Sequence, residues 1–226
     1  MLDIYYLVLV LPAILLSMWA QAKVSSTFTK YSKYGSQNGM TGYDSARKIL
    51  DANGLHHIKI EKVAGNLTDH YDPKNNVIRL SQTVYDRPTV AAMGVAAHEA
   101  GHAVQHNVGY APIKWRNAVL PVANIGSQAA IPLAILGLLL GLEPLVSVGI
   151  ILFAAVVLFQ LVTLPVEFNA SNRAIEILGS SGMLTTTEVK GVKKVLSAAA
   201  MTYVATALAS VMNLLRLVLI SRNRRD

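Results

Sequence analysis

"VAAHEAGHAVQH", residues 95–106, sets His98 and His102 four residues apart with Glu99 between them. The run from Val90 to about Asn107 is rich in helix formers, and Pro88 and Thr89 ahead of it suit a helix start. On a helix, side chains at i and i+4 stand one above the other, so both imidazoles can reach a single ion. Neutral imidazole suits zinc, and Glu99, about 100° round the helix, can hydrogen-bond a water at the metal. Zinc lowers the pKa of such a water to about 7 and polarises a carbonyl. Glu99 would then accept the water's proton and pass it to a leaving amine. A catalytic site also needs a third protein ligand, and none adjoins the motif.

The composition says where such a site would sit. The 226 residues are 53% hydrophobic and 15% charged, against about 25% charged in soluble domains. That balance belongs to a membrane protein. There is no cysteine, which excludes disulfides, thiolate metal sites and cysteine nucleophiles. The net charge is +7, but no dense basic run interleaves with aromatics. The partner surface is therefore the lipid bilayer, and no nucleic acid is expected.

Residues 4–22, "IYYLVLVLPAILLSMWAQA", are uncharged and carry Tyr5, Tyr6 and Trp19 toward their ends. Asp3 precedes them with no Lys or Arg, whereas a cleaved leader starts basic, so 1–22 reads as a retained transmembrane anchor. Residues 23–117 are polar enough for a small α+β domain. Thr41 and Asp44 open a helix that Gly54 ends, and "HIKIEKV" (57–63) and "NVIRLS" (76–81) are strands. "TDHYDP" (68–73) reads as a loop between them, and the motif helix follows. Residues 118–166 form a transmembrane hairpin, since 117–142 and 144–166 are uncharged around the turn "GLEP" (141–144). Residues 167–194 are assigned to a helix. The closing part, 195–226, is an apolar helix with a basic tail. Arg216 interrupts it, so it either spans or packs on the membrane, giving three or four spanning helices.

This topology sorts the candidates for the third ligand. Asp72 and His70 precede the motif in the expected loop, and His106 lies about 12 Å along the axis from His98. Glu143 falls at the hairpin turn, on the far side of the membrane from the motif. Glu167 follows two crossings and returns to the histidine side, with Ala170, Ser171 and Ala174 on its helical face to allow close approach. Glu176 points about 180° away from it. Glu167 is the expected ligand.

"SMWAQAKVSSTF", "HYDP", "HEAGHAVQH", "LPVEFNASNRA" and "AAAMTYVATAL" together resemble the YugP-type neutral zinc metallopeptidases of bacterial membranes, over nearly the whole chain. "EFNAS" is also similar to the third-ligand element of the HtpX-like membrane proteases. The resemblance implies a zincin-like (gluzincin) mini-domain with its active-site helix, combined with a transmembrane helical bundle. It implies one Zn2+ held by His98, His102 and Glu167, with Glu99 as general base. Ser171 stands where the HtpX-like relatives have aspartate, leaving open what holds a ligand histidine. Tyr203 reads as a packing residue, with an oxyanion-donor role open if its helix folds back over the site.

The resemblance implies a peptidase; the first functional expectation is zinc-dependent hydrolysis of membrane or membrane-proximal polypeptides, with substrate added at a sheet edge near "NVIRLS". The alternative is a non-catalytic membrane scaffold with a structural zinc, which would use four protein ligands and have no need of Glu99. No P-loop accompanies the motif, which sets the chain apart from the ATPase-linked membrane zinc proteases. Lys23, Lys30, Lys33, Lys114, Arg116, Arg173, Lys190, Lys193 and Lys194 flank the motif side of the spans, against Arg222, Arg224 and Arg225 on the other. That bias predicts a multi-pass plasma-membrane protein with its site facing the cytoplasm. Oligomeric state is not legible in the sequence.

Overall fold

The computed structural model describes residues 3–223, so Arg224 and Arg225 of the basic tail lie outside it. The chain divides into two compact units. One comprises Met1–Gln21, Ala111–Pro165 and Met201–Asp226; the other comprises Ala22–Tyr110 and Val166–Ala200.

The second unit holds the motif. Its first helical part is the end of α1 (Leu11–Tyr31), followed by α2 (Gly42–Ala52). Thr41 and Asp44 start α2 with a reciprocal cap: the Asp44 N–H donates to Thr41 Oγ1 at 3.2 Å, and the Thr41 N–H donates to Asp44 Oδ2 at 2.9 Å. Strands β1 (Lys59–Val63), β2 (His70–Asp72) and β3 (Val77–Ser81) form one sheet in the order β1-β3-β2. β1 runs parallel to β3 and β2 antiparallel to it, with Lys59 opposite Val77 and His70 opposite Arg79. After the short α3 (Gln82–Tyr85) comes the motif helix α4 (Val90–Asn107). Thr89 caps α4 by accepting the Ala92 N–H at 3.3 Å. Ile49 and Leu50 of α2, Ile78 and Leu80 of β3, Met93 of α4 and Leu178 are all fully buried in one core. β3 is thus clamped between helices and neighbouring strands, and α4 is fixed by apolar packing along its length.

Two sequence expectations change here. The stretch 68–73, expected as a loop, contains β2. The Asp72 side chain organises the following turn by accepting the Lys74 and Asn75 N–H groups at 3.0 and 3.3 Å, and Asn76 takes φ 51°. This turn folds β2 back onto β3. β3 is therefore the central strand, and substrate cannot add at "NVIRLS"; the outer strands are β1 and β2.

The first unit holds α5 (Ala111–Leu140) and the part of α6 (Glu143–Ser180) up to Pro165. Glycines let the two backbones meet: a Cβ at Gly149 would lie 2.7 Å from the Ala130 carbonyl oxygen. α6 continues through Pro165 to Ser180, so 167–194 is shared between the end of α6 and the start of α7 (Thr186–Arg222). Among the described residues, four helices are long and apolar enough to cross a membrane: Tyr6–Tyr31, α5, α6 and α7. The first includes the π-helical turn Tyr6–Val10. Leu7, Leu15, Ile125, Leu139, Ile151 and Leu158 are exposed, as lipid-facing side chains are. Arg216 does not interrupt α7. Its Nη2 pairs with Asp3 Oδ2 at 2.6 Å, and its guanidinium lies 5.2 Å from the centre of the Tyr6 ring.

Candidate metal centre

The motif helix is built from small residues where it meets α6. Ala100, Gly101 and Ala103 are buried, and so are Ala170 and Ala174 on α6. A Cβ added at Gly101 would sit 2.9 Å from the Ala170 carbonyl oxygen. Only glycine allows this helix-to-helix approach without a shift. Glu167 lies one turn before Ala170, so the same contact carries its carboxylate to the two histidines.

His98 Nε2 and His102 Nε2 lie 3.1 Å apart. Glu167 Oε2 stands 3.4 Å from the first and 3.6 Å from the second. Among the described residues these three form a group able to hold a metal ion, each offering one atom within 4.8 Å of the others. Glu167 Oε2 is buried and has no hydrogen-bond partner. A buried carboxylate oxygen without a partner is costly unless something positive satisfies it. The donor set is two nitrogens and one oxygen, which suits zinc. The residues present fit that ion.

The charges agree. Burial disfavours a charged His102, but the adjacent Glu167 carboxylate, the Glu99 charge and Gln105 outweigh it, so the imidazole is pushed above its ordinary value. Two carboxylates face this ring, a setting that also attracts a cation. Glu99 is 8% exposed. Close to it, burial pushes the Asp69 carboxyl up against the hydrogen bond from the Ser81 N–H, and the Glu99 charge adds to the rise. Asp69 fixes the join of β3 and α3, accepting the Ser81 N–H at 2.7 Å.

The other candidates fall elsewhere. Asp72 is held well below the usual carboxylate range by hydrogen bonds from Asn75 and Arg79. His70 turns its Nδ1 to the Thr68 carbonyl at 2.8 Å. His106 packs edge-on against Tyr71, with ring centres 5.5 Å apart. Glu143 and Glu176 are exposed, and Glu188 caps the start of α7 by accepting the Thr185 N–H at 2.8 Å. Tyr203 is half-buried on α7 in the first unit.

A second layer surrounds the donors. Ser171 Oγ lies 3.2 Å from His98 Nδ1, so serine makes the contact expected of an aspartate at that position. Gln105, fully buried, lies 3.0 Å from His102 Nδ1 through its Oε1. Gln105 was not singled out from the sequence, although its place three residues after His102, on the face that carries both histidines, was a usable signal.

Two histidines and a glutamate converging from two helices, in a chain with four candidate spans, are the furnishings of a membrane zinc metallopeptidase. The chain belongs to that class: residues 6–222 match the family described as "Putative neutral zinc metallopeptidase". It is 52% identical over 221 residues to the "Putative membrane protease YugP" of Bacillus subtilis (strain 168), covering 98% of each chain. No solved structure matches it.

Proposed function

We propose that the protein is an integral-membrane endopeptidase that hydrolyses membrane or membrane-proximal polypeptides, with Zn2+ held by His98, His102 and Glu167 in a gluzincin-type arrangement. The observation that carries this reading is the buried, unpartnered Glu167 Oε2 facing two imidazole nitrogens. When bound, zinc supplies Lewis acidity, polarising a carbonyl and making nearby water more acidic. The remaining work falls to the chain. Glu99 takes the proton of the attacking water and returns it to the leaving amine. The histidine side chains keep 13% and 15% exposure, which leaves access for water and substrate. Three protein donors suit a catalytic site, whereas a structural one takes four. Tyr71 of β2 touches His106 of α4, so β2 is the outer strand beside the motif helix and the edge to which an extended substrate adds.

The test uses detergent-purified protein and an unfolded polypeptide substrate. It should contain one zinc per chain, and cleavage should stop on chelation and return with zinc. Cleavage that survives complete removal of the metal would refute the proposal.

We also propose four spans with the site in the cytoplasm. The Asp3–Arg216 pair joins the start of the first span to the end of the last, which supports an even number of crossings. The Lys and Arg bias then puts both ends outside. Single cysteines at the exposed Asn66 and Asn223 can be tested with an impermeant thiol reagent on intact cells. Label is expected at 223 and not at 66; the reverse pattern would overturn the orientation.

A further inference from the structure

We infer that Gln105 is the positioning residue that presets the tautomer of His102, leaving the Nε2 lone pair free to meet the ion. This rests on the zinc reading above.

The amide of Gln105 has one orientation that satisfies its neighbours. Its Nε2 lies 2.8 Å from the Val166 carbonyl oxygen and 2.9 Å from Asn169 Oδ1. A backbone carbonyl only accepts, so the Gln105 end facing it must be the NH2 group. Asn169 gives an independent second anchor. Its Oδ1 also accepts from Arg173 Nε at 2.8 Å, and a guanidinium only donates, so oxygen is the atom Asn169 presents to Gln105. With the NH2 group fixed, Gln105 Oε1 is the atom left 3.0 Å from His102 Nδ1. An amide oxygen only accepts. The proton of neutral His102 is therefore on Nδ1, and Nε2 presents a lone pair toward His98 Nε2 and Glu167 Oε2.

The reverse tautomer sets a lone pair against the Gln105 oxygen and turns an N–H into the ligand cluster. Gln105 is 0% exposed, so water cannot step in to relieve that clash. His98 has no such constraint, because the Ser171 hydroxyl beside its Nδ1 can donate or accept. The ligand histidines thus differ: one is preset by a chain running from the Arg173 guanidinium and the Val166 carbonyl through Gln105, and the other adapts. The same chain ties α6, which carries Glu167, to α4.

The test separates tautomer control from simple clamping of the helices. Gln105→Leu removes the acceptor at Nδ1. Gln105→Glu keeps an acceptor there but loses the donor to Val166. Zinc affinity of the full chain in detergent is read by competition with a chromophoric chelator, and Co2+ loading is followed by its visible spectrum. Gln105→Leu is expected to weaken zinc binding by about 10–100-fold, with Gln105→Glu within about threefold of wild type or tighter. Equal, tenfold losses in both variants would mean that Gln105 only clamps α4 to α6, and the inference fails. It also fails if Gln105→Leu binds as wild type does. Should Gln105→Leu not fold, the glutamate variant decides alone: retained affinity supports the inference and a tenfold loss overturns it. Wild-type protein that takes up no zinc removes the zinc reading and this inference together.

Discussion

Glu99→Gln is expected to lower peptide hydrolysis by about 10²–10⁴-fold, the usual contribution of a positioned general base, while zinc content stays at the wild-type level. The glutamine amide has nearly the shape of the carboxylate, so the helix is undisturbed. Its position one residue after His98 leaves it outside the His98, His102 and Glu167 group and next to it along the chain. Glu99 is largely buried, so bulk water does not replace it as a base. Metal analysis and turnover measured on the same preparation check this. Turnover near the wild-type rate would remove Glu99 from the mechanism, and loss of zinc would make it a ligand.

The second large effect is expected on the metal itself. Glu167→Ala deletes a donor whose Oε2 is the buried oxygen without a hydrogen-bond partner. Its zinc affinity should fall by more than the about 10–100-fold that follows loss of an outer hydrogen bond. Glu176→Ala, at an exposed position of the same helix, should match wild type. Chelator competition on the two variants and wild type settles the matter. Equal affinity in all three would mean that Glu167 is not a ligand.

The parts of this fold legible in the sequence are those written in local chemistry. The Thr41–Asp44 cap, the Thr89 cap and the apolar run in 76–81 after a turn-forming stretch each have a short-range physical cause, and the structure has α2, α4 and β3 at those places. The hairpin was readable because two uncharged stretches flank a short turn. β2 was not, because the three residues His70–Asp72 are too few to carry a periodicity; their extended form comes from pairing with β3 and from the turn that Asp72 organises. The order of the sheet was hidden for the same reason, and with it the outer position of β2. Arg216 looked like an interruption because its partner, Asp3, lies at the opposite end of the chain. The convergence of Glu167 on the histidines followed from counting crossings, and the small residues around Gly101 and Ala170 are the contact that achieves it. Gln105 stayed hidden because its partners, Val166 and Asn169, lie on another helix.

The order of the donors along the chain has a consequence for biogenesis. His98 and His102 leave the ribosome before the α5–α6 hairpin, and Glu167 leaves after it. At about 5–20 residues per second, synthesis separates them by several seconds. During that interval the nascent protein owns two of the three candidate donors and no more. The group His98, His102 and Glu167 is complete only once α5 and α6 have been made, so on the proposed reading metal capture would report a finished hairpin. Under the proposed zinc reading, a chain still being threaded into the bilayer has an unfinished site and does not cut its neighbours.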